Sequence, residues 1–353
     1  MFNFAARRAG TYLLFKGDGI LSKIIIGIHG LGNKPPKKTL EKWWKQAIQE
    51  GLKALGYNHF FIKFKLVYWA HILHPEFLNP QIKDKDHPLY LSDPYIKAKN
   101  YEKKTPDKFK KKALDYLEIQ MDRLFLNVDN TINFSSITDY IIRHFFKDLE
   151  IYYSSKKIQT EGSKKLARNM IRNELANIIR KYGKKDILLI GHSMGTIIAY
   201  DVLTQLVPDV KIDTFVTIGS PLGLPIIMNK INLEQKKNLL PGLKPGTPEN
   251  ISKKWFNFSD LRDKVTLNYN LGDDYKENAK GIKPIDEIVY NNYEYNDEKN
   301  PHKSYGYLRT PEMAEVINEF LNRGRSKIMI WLDEKINHLF SIHHKRKKAI
   351  EYS

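Results

Sequence analysis

The chain is built around one stretch, Asp186-Ile-Leu-Leu-Ile-Gly-His-Ser-Met-Gly-Thr-Ile-Ile-Ala-Tyr200. Ile187 to Ile190 is a continuous apolar run and reads as a short buried strand. Gly191-His192-Ser193-Met194-Gly195 follows at once. Thr196 to Leu206 then reads as a helix, with Ile197, Ile198, Val202 and Leu206 apolar. Gly-x-Ser-x-Gly between a strand and a helix puts the serine on a sharp, strained turn. Side chains two residues either side of it would clash, and Gly191 and Gly195 remove the clash. The turn lifts Ser193 Oγ above the sheet at a helix N-terminus, where the helix dipole favours negative charge. A chance pentapeptide would lack the strand before it and the helix after it.

With 353 residues, 42% of them apolar, the chain can fill one large α/β domain or two small ones. It has no cysteine. That excludes disulfides, thiol nucleophiles and zinc–thiolate sites, and it fits a reducing compartment. Arg7 and Arg8 precede an apolar run, Tyr12 to Phe15, that is too short for a signal-peptide core. No stretch approaches a transmembrane length. The expectation is a soluble, cytoplasmic protein. The net charge of +18 invites an anionic partner. The lysines are spread along most of the chain, however, which favours a solvated surface over a dedicated anion-binding face. No motif that reads or stacks bases is present, so no specific nucleic-acid partner is expected.

A second strand-to-turn signal lies upstream. Lys23-Ile-Ile-Ile-Gly-Ile-His-Gly30 is an apolar run that ends in His29-Gly30-Leu31-Gly32-Asn33. A Gly-rich turn after a strand exposes backbone N–H groups, and an oxyanion needs such fixed donors near 3 Å. The N–H groups of Leu31 and Met194 are the candidate oxyanion hole. Gly30 and Gly32 let the backbone approach closely, and Asn33 is placed to brace the loop through its side chain.

Pro35-Pro36 opens a helix near Leu40 to Leu55, with Trp43, Trp44, Ile48 and Leu52 at helical spacing, and the tryptophans read as packing. Phe60 to Trp69 reads as the next strand. His71, His74 and His87 follow without the acidic partners of a metal cluster, so no metal site is expected. Residues 75–160 break the α/β rhythm. Helical patterning at Ala113 to Phe125 and Ile137 to Leu149 suggests a helical cap, which would exclude water and shape specificity. A surface excursion is the alternative. Leu166 to Tyr182 reads as the helix leading into the serine strand. Thr214 to Ile218 is a buried strand ending in Gly219-Ser220-Pro221. Residues 224–251 read as a proline-punctuated loop, Lys254 to Phe258 as a strand, Glu287 to Tyr290 as a last short strand, and Pro311 to Leu321 as a helix. No internal repeat is present.

Over roughly residues 23–323 the chain resembles the α/β-hydrolase superfamily on its lipase/esterase side. The matching pieces are His29-Gly30-Leu31-Gly32, Gly191-His192-Ser193-Met194-Gly195, Gly219-Ser220-Pro221, Asp263 and His302. The resemblance implies an α/β fold: a mostly parallel eight-stranded sheet with helices on both faces and a cap insertion. It also implies hydrolysis through an acyl-enzyme, with no cofactor. Asp148-Leu-Glu-Ile-Tyr152 is similar to an Asp-x-x-x-Tyr segment of bacterial hydrolases of undefined substrate. In the superfamily the acid and then the histidine follow the serine. After Ser193 the chain has only His302, His338, His343 and His344, and the last three lie in a basic tail. His302 is therefore the base. The acid should follow the strand after Thr214–Ile218. Asp263 is preferred because Asp-Lys-Val resembles the Asp-Pro-Val turn that often holds it; Lys264 stands where proline is frequent. Asp260 is the alternative and Asp273-Asp274 a third position. His192 receives no catalytic role.

The tail, residues 324–353, is a basic amphipathic helix by pattern: Ile328, Leu332, Ile336 and Leu339 share a face, and Lys345-Arg346-Lys347-Lys348 closes it. It either docks on the domain or meets an anionic membrane peripherally. The expected activity is hydrolysis of a carboxylic ester, small or lipid-like. A thioesterase or amidase on the same residues, and a catalytically silent binding protein of the same fold, remain the alternatives.

Overall fold

The computed structural model describes residues 23–57, 59, 61–99, 101, 147–154, 156–160, 163–235, 244–266 and 268–326. The apolar run Tyr12 to Phe15, the cap helix expected at Ala113 to Phe125, most of that at Ile137 to Leu149 and the tail from residue 327 lie outside them.

In chain order the elements are β1 (Lys23–Ile28), α1 (Lys37–Ala54), β2 (Phe64–Val67), α2 (Ala70–Leu73), α3 (Lys147–Tyr153), β3 (Lys157–Thr160), β4 (Ser163–Leu166), α4 (Ala167–Tyr182), β5 (Asp186–His192), α5 (Met194–Gln205), β6 (Ile212–Ile218), α6 (Pro225–Gln235), β7 (Ile251–Ser259), α7 (Leu271–Asp274), β8 (Pro284–Ile288), β9 (Glu294–Tyr295), β10 (Glu298–Lys299), α8 (Ser304–Leu308) and α9 (Pro311–Asn322). Six strands form one sheet in the order β2-β1-β5-β6-β7-β8, and every neighbouring pair is parallel.

A parallel sheet carries its crossover helices on its faces, so its central strands are buried on both sides and read as unbroken apolar runs. β1 and β5 show this. Ile24, Ile26 and Ile28 pack with Leu189, with Leu175 and Ile179 of α4 and with Ile197 and Ile198 of α5. Ile25, Leu188 and Ile190 face the opposite layer, with Trp44 and Ile48 of α1 and Ile317 and Phe320 of α9. Each such side chain removed from water contributes about 1.5–3 kcal/mol. The C-terminal ends of the parallel strands therefore share one rim, where open α/β sheets bind ligands.

Several expected bounds shift. The described residues supply six strands to the sheet where the resemblance implied eight. The strand expected from Phe60 begins at Phe64, because Phe61 is 89% exposed and outside the core. The last short strand is Pro284–Ile288 rather than Glu287 to Tyr290. The stretch 224–251, read as a loop, contains α6, which starts on Pro225; proline needs no partner for its missing N–H at a first helical position.

Candidate active site

Ser193 stands between β5 and α5 with φ 53° and ψ −130°. A residue with a side chain rarely takes such angles, at a cost of about 1–3 kcal/mol. Hydrogen bonds hold it there. Ser193 N–H donates to Ile218 O at 3.1 Å, and Ser193 O accepts from Thr196 N at 2.8 Å and from Thr196 Oγ1 at 2.7 Å. Thr196 Oγ1 also lies 2.9 Å from Ser220 Oγ, which ties the turn to Gly219-Ser220-Pro221. Two glycines are required by contact. A Cβ on Gly195 would lie 2.6 Å from Ile28 O, and a Cβ on Gly30 would lie 2.7 Å from Ser193 Cβ. The serine turn and the loop after β1 thus touch through bare backbone.

His302 Nδ1 donates to Asp263 Oδ2 at 2.8 Å. Asp263 is buried, and its carboxylate also accepts from Val265 N–H at 2.9 Å and from Tyr307 Oη at 2.8 Å. Burial, and then the Asp263 charge, push the Tyr307 hydroxyl well above its ordinary pKa, so it stays a donor. With Nδ1–H committed to Asp263, the neutral His302 ring presents an unprotonated Nε2. Asp260, the alternative acid, faces elsewhere: its carboxylate accepts from Arg262 Nε at 2.9 Å and from Asn291 N–H at 2.7 Å. Of the third pair, Asp274 accepts from Asn268 Nδ2, and both residues belong to α7.

The end of β6 joins these parts. Gly219 has φ 55°, and a Cβ on it would lie 3.1 Å from Asp263 Oδ2 and 3.2 Å from His302 Cε1. Its neighbour Ile218 supplies the carbonyl that holds Ser193 N–H. Ser193, Asp263 and His302 therefore gather around residues 218–219. His192 packs its ring 4.8 Å from that of His302 and donates from Nε2 to His302 O at 2.7 Å. Burial, then the neighbouring His302, hold the His192 pKa well below its usual value, so it is neutral. Asn291 fixes the same loop from the other side, donating to Pro301 O and Lys303 O at 2.8 Å each.

The loop after β1 is held by its carbonyls. His29 O accepts from Trp69 Nε1 at 2.9 Å, and Gly30 O accepts from His29 Nδ1 at 2.8 Å. Asn33 braces it by donating to Glu76 O at 2.8 Å. Among the described residues neither Leu31 N–H nor Met194 N–H donates to a protein acceptor. The three histidines 71, 74 and 87 diverge. His71 stacks on Tyr68, His74 meets Asp148 and His87 accepts from Leu89 N–H. Among the described residues no group of three or more His, Asp or Glu is placed to hold a metal ion, and no helix is long and apolar enough to cross a membrane.

Residues 133–240 match the family model of the PGAP1-like alpha/beta domain. The matched stretch includes α3, the helix before the serine strand, the Ser193 turn and Gly219-Ser220-Pro221, on a parallel sheet with helices on both faces. The chain is an α/β-hydrolase-fold protein. No curated protein matches it. In this hydrolase fold, sequence reasoning passed over Tyr307 and Asn291, whose polar atoms support the groups above. Only a buried position marks them, and burial of a single tyrosine or asparagine leaves no periodic trace in the sequence.

Proposed function

We propose that the protein is a serine hydrolase of carboxylic esters. The observation that carries the proposal is the convergence of Ser193, His302 and Asp263 on the end of β6, with His302 Nδ1 2.8 Å from Asp263 Oδ2. The family match supports the coarser reading, a hydrolase of lipase/esterase type. Serine hydroxyl is a weak nucleophile at neutral pH and needs a base whose tautomer is fixed. His302 Nε2 takes the proton as Ser193 Oγ attacks the acyl carbon. The carbonyl π electrons move to oxygen, and the N–H groups of Leu31 and Met194 receive that charge. Collapse expels the alkoxide, to which His302 gives the proton. Water then repeats the sequence on the acyl-enzyme. Asp263 keeps Nδ1–H directed and stabilises the imidazolium.

A fluorophosphonate probe tests this. It should label the wild-type protein on Ser193 and leave Ser193→Ala unlabelled. Equal labelling of the two would overturn the assignment. Leaving-group preference is set by the pocket, so a panel of esters, thioesters and amides of graded acyl length distinguishes esterase from thioesterase and amidase activity.

A further inference from the structure

The loop after β1 and the helix after Ser193 are joined by a third element. Gly32 N–H donates to Asp148 Oδ2 of α3 at 2.6 Å. The carbonyl of that same peptide unit, Leu31 O, accepts from Lys34 Nζ, which also reaches Gly32 O at 3.0 Å. A peptide unit is planar, so holding its N–H and its C=O fixes its rotation. The preceding unit is held through Gly30 O by His29. With both units fixed, the direction of Leu31 N–H is fixed too. Asp148 is only 6% exposed. Burial alone would raise its pKa, but the hydrogen bonds from His74 and Gly32 and the charge of Lys34 hold it below its ordinary value. The clamp is therefore an ionised carboxylate.

One helical turn on, Tyr152 occupies the same face of α3, since residues four apart are neighbours on a helix. Tyr152 Oη donates to Asp201 Oδ2 at 2.7 Å, and Arg168 of α4 pairs with that oxygen at 2.8 Å. Asp201 belongs to α5, whose first residue is Met194. The two ends of one short face of α3 thus grip the two elements that carry the Leu31 and Met194 N–H groups.

We infer that α3 is the brace that sets the spacing and angle between these two donors, with Asp148 and Tyr152 as positioning residues. The meaning of the donors rests on the hydrolase proposal; the brace itself rests on the contacts. A donor displaced by about 1 Å costs on the order of 10²-fold in rate. The effect should fall on kcat, because an oxyanion donor acts in the transition state.

The test compares Asp148→Ala, Asp148→Asn and Tyr152→Phe with wild type in ester kinetics, fluorophosphonate labelling of Ser193 and amide exchange at residues 29–34. Asp148→Ala should lower kcat and labelling rate by about 10²-fold with KM within about twofold, and it should speed exchange of the Gly32 amide. Asp148→Asn keeps an accepting oxygen and should recover at least about tenfold of that loss. Tyr152→Phe should lower kcat by roughly tenfold, and its effect should not add to that of Asp148→Ala, because both act through one brace. Unchanged kcat in Asp148→Ala overturns the inference, as does an Asn variant as impaired as Ala. If wild-type Ser193 neither labels nor turns over an ester, the hydrolase proposal falls by itself. Amide exchange then decides the brace: unchanged Gly32 protection in Asp148→Ala overturns it, and lost protection supports it.

Discussion

Asp260 and Asp263 stand three residues apart beyond β7, and the fold sends their carboxylates to different partners. Asp263 meets His302; Asp260 is bound by Arg262 and Asn291 N–H. The consequences of neutralising them should separate. Asp263→Asn should lower kcat by on the order of 10⁴, because an amide beside Nδ1 selects the wrong tautomer of the base. Asp260→Asn should instead act on stability, since it leaves the Arg262 charge without its counter-ion. Turnover and melting temperature of the two variants check this, and a crippled but thermally normal Asp260→Asn would refute it. At this scale the sequence pointed to Ser193 and His302 as the candidate nucleophile and base, the first by its glycines and context, the second by elimination. Asp263 stood out from Asp260 only through resemblance. Lys34 and Tyr307 were not legible, because 58 Lys and Arg and 20 Tyr supply no contrast. Lys34 carries its own prediction. Burial, then the nearby Lys303 charge, lower its pKa from a lysine's ordinary 10.5 to about 7, against the opposing pull of Asp148 and Asp93. Between those values the unfolded chain holds a proton that the folded one has released, so stability rises with pH across that window. Urea midpoints of wild type and Lys34→Met, taken at about pH 7 and about pH 9.5, should show the wild type gaining on the variant as pH rises. A constant difference would refute it.

Elements were legible in proportion to how completely they are buried. β1 and β6 are buried along their whole length and β5 at every residue after Asp186, and each was readable as an apolar run. α1, α4 and α9 each bury one stripe and were readable by period. The two edge strands, β2 and β8, alternate weakly and shifted by several residues. The β3–β4 hairpin escaped because its strands are short and lysine-rich, with Lys157 opposite Leu166 and Lys165 opposite Ile158. In the segment Asp148 to Tyr152 the spacing was visible as part of a resemblance. Its partners, Gly32 and Asp201, lie 116 and 49 residues away in sequence. No local pattern encodes such contacts. They arise because a helix preceding a parallel strand begins on the rim where that strand ends, which brings α3 and α4 to the loop after β1.

At the scale of the whole molecule, two features were expected to decide the substrate: a cap over residues 75–160 and the basic tail. We propose a lipid-like acyl group, since an apolar cap wall favours acyl chains over sugars or peptides, and we propose that the tail brings the site to an anionic bilayer. Lys345-Arg346-Lys347-Lys348 of the tail supply four of the positive charges behind the chain's net +18. Basic residues near an anionic surface contribute about 1 kcal/mol each, so losing the cluster of four, among the six Lys and Arg beyond Ser326, should weaken vesicle binding by about 10³-fold or more. A chain ending at Ser326 keeps α9 and the pairing of Arg323 with Asp213 and Glu319, so its fold should persist. Full and shortened chains would be compared for binding to anionic and to neutral vesicles, and for turnover of a soluble short-chain ester and of a long-chain ester held in the bilayer. The expected result is weaker binding to anionic vesicles and slower bilayer turnover for the shortened chain, with soluble turnover unchanged. Because the attraction is ionic, added salt should bring the full chain down to the level of the short one. If both chains bind alike and the short soluble ester is turned over fastest, the tail is a packing element and the substrate is a small ester, while the chemistry assigned to Ser193 is untouched.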